Sequence, residues 1–197
     1  LDVEEVDWKR HTVFATQVKG RVPAYFGDCP GDINTHVLER MRQALTEHAA
    51  YPYLMGNARA RLAQARHTAE ISGAGTKPLI NLGGELVLFP WLGSYAFLAL
   101  ERMLKIKCAA ELGLRGLDPS RPYFMQFKMK ADEETLEVLA AEAEKDFDPI
   151  ELVYPGEVPY LIVTMIVPEE LVRKGFAEGV LDIEGMKQRV LSWRDHA

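Results

Sequence analysis

Residues 78–112 read PLINLGGELVLFPWLGSYAFLALERMLKIKCAAEL, and the fold is decided there. Two apolar runs, residues 78–82 and 85–91, flank Gly83-Gly84, a dipeptide that accepts the positive φ values of a two-residue hairpin turn. An antiparallel hairpin is expected. Gly93-Ser94 then opens a helix to Leu112 with Phe97, Leu100, Leu104 and Cys108 at buried spacing and Glu101 four residues before Lys105 as an ion pair. Nearly every face of this helix is apolar, which places it at the centre of the molecule.

On the C-terminal side, residues 122–130 alternate as a strand, Tyr123, Met125, Phe127 and Met129 against Phe124, Gln126, Lys128 and Lys130. Asp132 is expected to cap a helix in which Leu136, Leu139, Ala140, Ala143 and Phe147 repeat in steps of three and four. The run 160–167 reads as a buried strand closed by Pro168, followed by helices over 168–178 and 183–193. On the N-terminal side, residues 3–18 hold one or two strands. Asp32 is expected to cap a helix over 33–49 with Val37, Met41, Ala44, Leu45 and His48 on one stripe. Pro52 breaks that helix, Asn57 caps a second one to Ser72 with Leu62, Ala65 and Ala69 inward, and Gly73-Ala74-Gly75 ends it. The expected fold is α+β, a mostly antiparallel sheet with several packed helices. Residues 1–197 read as a single unit, any sub-boundary falling near 73–77.

The chain has 197 residues, 48% hydrophobic and 26% charged, with a mean hydropathy of −0.11, a balance that excludes disordered, collagenous and low-complexity classes. Its longest apolar run falls short of the roughly 18 residues of a membrane span, so no membrane partner is expected. The start, Leu1-Asp2-Val3-Glu4-Glu5, is acidic where a secretory signal would be basic and then apolar, and a cytoplasmic setting is expected. Leu1 without a preceding methionine suggests a piece of a longer polypeptide. Cys29 and Cys108 fit no metal or redox spacing and read as unpaired core thiols. Net charge is uneven: −2 over residues 1–58, +6 over 59–130 and −10 over 131–197.

Gly73-Ala74-Gly75-Thr76-Lys77 looks like part of a phosphate loop, but that loop needs a strand before it and a helix after it. A helix precedes and Pro78 follows, so it reads as a helix stop. Asp32, His36 and Glu39, at i, i+4 and i+7, could hold a metal, yet capping and a solvated face explain them. No HExxH, GxSxG or Cys/His set occurs. No catalytic residue, metal or cofactor is therefore expected in this chain. The basic middle third suggests phosphate contacts, foremost Arg59 and Arg66 with Arg61, Lys105 and Lys128, and Trp91 or Tyr53 as a surface for base stacking.

Three stretches carry a family resemblance. The first is Lys19-Gly20-Arg21-Val22-Pro23 through Gly31-Asp32-Ile33 and Val37-Leu38-Glu39-Arg40-Met41-Arg42 to Tyr51-Pro52-Tyr53-Leu54. The second is Phe89-Pro90-Trp91-Leu92-Gly93-Ser94 with Phe97 and Leu100. The third is Glu151-Leu152-Val153-Tyr154-Pro155-Gly156 with Pro168-Glu169-Glu170-Leu171-Val172-Arg173-Lys174 and Leu181-Asp182-Ile183-Glu184-Gly185. Together they resemble the C-terminal region of bacterial DEAD/DEAH-box ATP-dependent helicases related to the large helicase-related family. The resemblance implies an accessory domain beyond the two motor lobes that guides the nucleic-acid strand, DNA rather than RNA, in a DNA-repair setting. ATP and Mg would belong to the motor of the parent chain, and the motor domains would be partners of this one. The alternative is a protein-interaction module that docks on the motor or a repair partner without touching nucleic acid. A dispersed basic set beside an exposed apolar patch favours docking, and a continuous basic groove favours strand guiding.

Overall fold

The computed structural model describes residues 2–7, 12–16, 31–128, 134–155 and 167–194. Its architecture is α+β, as the sequence leads one to expect. Strands β1 (Asp2–Asp7) and β2 (Thr12–Thr16) pair antiparallel, with an irregularity between Val3 and Glu5. Helices α1 (Thr35–Thr46) and α2 (Gly56–Ser72) form a helical hairpin. Strands β3 (Leu79–Leu82) and β4 (Glu85–Leu88) follow in register, Leu82 opposite Glu85, with Gly83 and Gly84 at φ 67° and 96° in the turn. The Gly-Gly reading is thus correct, and its reason is steric: two successive positive φ values exclude side chains.

Helix α3 (Ser94–Met103) continues through one π-helical turn (Leu104–Cys108) into α4 (Ala109–Leu112). Phe97, Leu100, Leu104 and Cys108 are all buried, and this composite helix lies in the main core. Burial pushes the Cys108 thiol up to about 12, the nearby carboxylates of Glu142 and Glu111 adding to the effect. Strands β5 (Leu117–Ser120) and β6 (Phe124–Phe127) complete an antiparallel sheet of order β3-β4-β6-β5. Met125 and Phe127 are buried with Leu86 and Leu88 in the core. Helices α5 (Thr135–Glu144), α6 (Glu169–Gly179) and α7 (Ile183–Leu191) follow. Helix α7 packs on both α3 and α5, and α6 packs on a 3₁₀ turn at Pro149–Leu152.

Several local expectations are corrected. Asp32 does not cap α1; Asn34 does, its Oδ1 accepting from the His36 backbone N at 2.9 Å. Either short polar side chain could do this, and because the helix begins at Thr35 it is Asn34, not Asp32, that occupies the capping position. Helix α2 starts at Gly56 with no side-chain cap, and the Asn57 Oδ1 accepts from Ala58 N inside the first turn. On α1 the buried residue is Leu38, whereas Val37 and Met41 are exposed; on α2 Ala65 is exposed and Arg66 is half-buried in its place. Strand β5 is an addition, hidden in the sequence by Asp118 and Pro119, which a sheet tolerates only at an edge such as this one. The readings placed on Cys29, Met129, Lys130, Asp132 and the run 160–166 lie outside the described residues.

No described helix is long and apolar enough to cross a membrane.

Candidate functional site

Helices α1 and α2 meet across side chains too small to fill the space between them. Val37, Met41 and Ala44, at i, i+4 and i+7, share one face of α1, and Ala58 and Leu62 share one face of α2. Alanine on both walls leaves an open cleft of about 650 Å³, closed at one end by Tyr51, Tyr53 and Leu54 of the connection. Val37 is 51% exposed, Met41 41% and Tyr53 78%, so the apolar lining is open to solvent.

The rim is polar. Arg40 donates to the Gln43 Oε1 at 3.0 Å and to the Tyr51 hydroxyl at 3.3 Å, and pairs with Glu47 at 3.2 Å. The Tyr51 hydroxyl donates to Glu47, and this bond lowers the Glu47 carboxyl below its ordinary range and raises the phenol above its own. Arg40 and Arg66 stand 5.9 and 5.6 Å from the centre of the Tyr51 ring, two guanidinium groups around one carboxylate.

Arg59 and Arg66 do share a face of α2, but that face looks back at the chain. The Arg59 Nε donates to the Leu54 carbonyl at 2.8 Å. Arg66 donates from Nε to the Ala44 carbonyl at 2.8 Å and from Nη2 to the Ala49 carbonyl at 3.0 Å. The last carbonyls of a helix lack intrahelical donors, and a guanidinium fork is well shaped to satisfy them. Arg66 thereby fastens the C-terminal end of α1 to α2. Arg66→Ala is expected to cost about 1.5–3 kcal/mol, the range for hydrogen bonds from a charged group, read as a lowered midpoint in urea unfolding.

The other basic candidates are dispersed. Arg61 lies on another, exposed face of α2. Lys105 holds Glu101 at 2.7 Å within the core helix, and Lys128 pairs with Glu85 at 2.8 Å across the sheet. Trp91 is only 8% exposed and stacks on Phe89, with its backbone in the left-handed region at φ 55°. It is a core residue, not a stacking surface. Tyr53 remains outward. Among the described residues these basic side chains sit on separate elements, α2, the core helix and the sheet.

The remaining motifs are also accounted for. In the 73–77 turn the amides of Thr76 and Lys77 both donate to the Gly73 carbonyl, at 3.0 and 2.8 Å, and so are turned away from any phosphate. His36 Nδ1 lies 3.2 Å from one Glu39 oxygen, and Arg189 donates to the other at 2.6 Å. Burial raises the Glu39 carboxyl, but the His36 and Arg189 hydrogen bonds outweigh it and hold the group below its usual range. Among the described residues no group of three or more His, Cys, Asp or Glu is assembled for a metal.

Sequence reasoning placed Val37, Met41 and Ala44 on one stripe but did not show that this stripe lines an open cleft. The signal for an open cleft was present in the alanines facing it, Ala44 and Ala58, which cannot bridge two helices. Compared with known proteins, the chain matches no family model, no curated protein and no solved structure.

Proposed function

We propose that this chain is a non-catalytic docking module whose α1–α2 cleft receives a segment of another protein region. In the helicase setting suggested by the three sequence stretches, that region is the motor of the same polypeptide or a repair partner. The observation that carries the reading is the solvent-open apolar lining of Val37 and Met41 beside Tyr53. Exposed aromatic and methionine side chains at a concave surface are the usual anchors of protein recognition. The two arginines expected on phosphates are meanwhile engaged by Leu54, Ala44 and Ala49. Charge reversal at Arg66 would thus report on the helical hairpin before it reported on nucleic acid.

The strand-guiding reading keeps one observation, the outward Tyr53 of a cleft also lined by Arg40, and one experiment separates the two. The chain is titrated with labelled single-stranded and duplex DNA, RNA and a leucine-faced helical peptide, from about 50 to about 200 mM salt. Saturable peptide binding that Met41→Asp abolishes, with the oligonucleotides inert, is the expected result. Oligonucleotide binding with a steep negative salt slope and no peptide binding would return the chain to strand guiding.

A further inference from the structure

The cleft lining is chemically one-sided. Its floor is Val37, Met41, Ala44, Ala58 and Leu62, its ionisable groups are His36, Arg40 and two tyrosines, and it contains no carboxylate. Behind the Tyr51 wall Arg40 pairs with Glu47 and Arg66 stands over the same ring, its charge reaching that carboxylate without a hydrogen bond, so two guanidinium groups face one carboxylate. The C-terminal third carries the opposite imbalance, −10 over residues 131–197. A negatively charged segment is therefore repelled by the C-terminal third and attracted at the cleft.

Shape narrows the occupant further. At 1.5 Å per residue, the stretches that line the cleft, residues 36–44 of α1 and 58–62 of α2, run about 14 Å and about 8 Å. Walls of that length accept about two turns of a helix, read by apolar knobs at i, i+3 and i+4. A small ligand would need converging polar groups to fix its orientation, and the floor offers none.

Building on the docking reading above, we propose that the α1–α2 cleft binds an amphipathic α-helix whose apolar face is flanked by carboxylates. The apolar face covers Val37, Met41 and Leu62, and the flanking carboxylates meet Arg40 at the rim. Tyr53 closes over one end.

Three synthetic helical peptides with the same leucine face and glutamate, glutamine or lysine flanks test this by fluorescence anisotropy. The glutamate peptide is expected to bind at least about tenfold more tightly than the lysine one, the size of two screened charge contacts. The difference is expected to shrink as salt rises, to collapse in Arg40→Gln and to persist in Arg40→Lys. Met41→Asp, at an exposed position that leaves the fold intact, abolishes binding of all three. Equal binding of the three peptides, or a preference indifferent to Arg40→Gln, overturns the acidic occupant and leaves docking standing. No peptide binding by the folded chain overturns both. A single-stranded oligonucleotide that binds wild type and is lost in Met41→Asp overturns the helix in favour of nucleic acid.

Discussion

Replacing Lys105 and Arg121 together by methionine is expected to destabilise the chain by about 3–5 kcal/mol, the cost of leaving a buried carboxylate without its partners. That carboxylate is Glu101, 1% exposed on α3. Lys105 Nζ donates to Oε1 at 2.7 Å, and Arg121 donates from Nε to Oε2 at 2.7 Å and from Nη2 to Oε1 at 2.9 Å. The two cations are 31% and 34% exposed. The asymmetry fixes the ranking of variants. Remove the cations, and the anion has no path to water. Remove the anion by Glu101→Leu, and both cations can extend outward on their methylene stems, so the loss is much smaller. The triple variant is expected to regain most of the stability lost by the double one, in urea unfolding at neutral pH. A double variant as stable as wild type would show that Glu101 is not buried as described.

The same network has a pH signature. Burial raises the Glu101 carboxyl, but the hydrogen bonds from Arg121 and Lys105, and their charges, outweigh it and hold the group below its ordinary value of 4.5. A carboxylate depressed in the folded state stabilises above the unfolded value, and that contribution fades as pH falls through the folded one. Wild type is therefore expected to lose stability below pH 4.5 faster than Glu101→Gln, which has no proton to take up there. The difference between the two curves isolates Glu101 from Glu39, Glu47 and Glu151, whose carboxyls are also held low.

This core was legible in the sequence because its signals are local. Gly83-Gly84 requires a turn, the spacing of Phe97, Leu100, Leu104 and Cys108 requires a buried helix face, and Glu101 to Lys105 is a contact within one turn. Arg121 as the third member of the network was not legible, since it arrives from the β5–β6 turn, twenty residues away. Strand β5 was hidden because Asp118 and Pro119 argue locally against a strand, and only its position at the sheet edge makes them acceptable. The π-helical turn at Leu104–Cys108 leaves no mark on an apolar pattern that a helix of any pitch would bury. At the candidate site the failure was of another kind. Sequence shows that Arg59 and Arg66 are charged and share a face, but not that the Leu54 carbonyl of the connection and the Ala44 carbonyl at the end of α1 await them. Nor does it distinguish a stripe that meets a partner helix closely from one held apart by alanine.

The α1–α2 hairpin serves as a docking surface only if it is held firmly on the core, and Gly93→Ala is expected to break that hold. Gly93 sits at φ −66°, ψ 170°, a conformation any residue adopts, so its backbone does not require glycine. Space does. A Cβ there would lie 2.3 Å from the Ile33 carbonyl oxygen, 2.6 Å from Thr35 N and 2.9 Å from the Asn34 carbonyl carbon. All three are backbone atoms and cannot rotate aside. The contact is a joint between two chain segments. Ser94 N donates to the Ile33 carbonyl at 2.9 Å, Ile33 N to the Ser94 Oγ at 3.0 Å, the Ser94 hydroxyl to the Gly31 carbonyl at 2.9 Å, and Gly93 N to the Thr35 Oγ1 at 3.0 Å. One methyl group would force these bonds open together, an overpacking cost of about 3 kcal/mol or more. The loss should be uneven. Hydrogen exchange in Gly93→Ala is expected to rise first through α1 and α2, whose other described side-chain links to the rest of the chain include Arg189 to Glu39. The sheet and helix α3, sharing one core, should retain their protection. Peptide affinity at the cleft should fall with the hairpin's protection, because an occupant would then have to order both helices as it binds. Wild-type protection in α1 together with wild-type stability would show that residues 31–35 are not seated on Gly93.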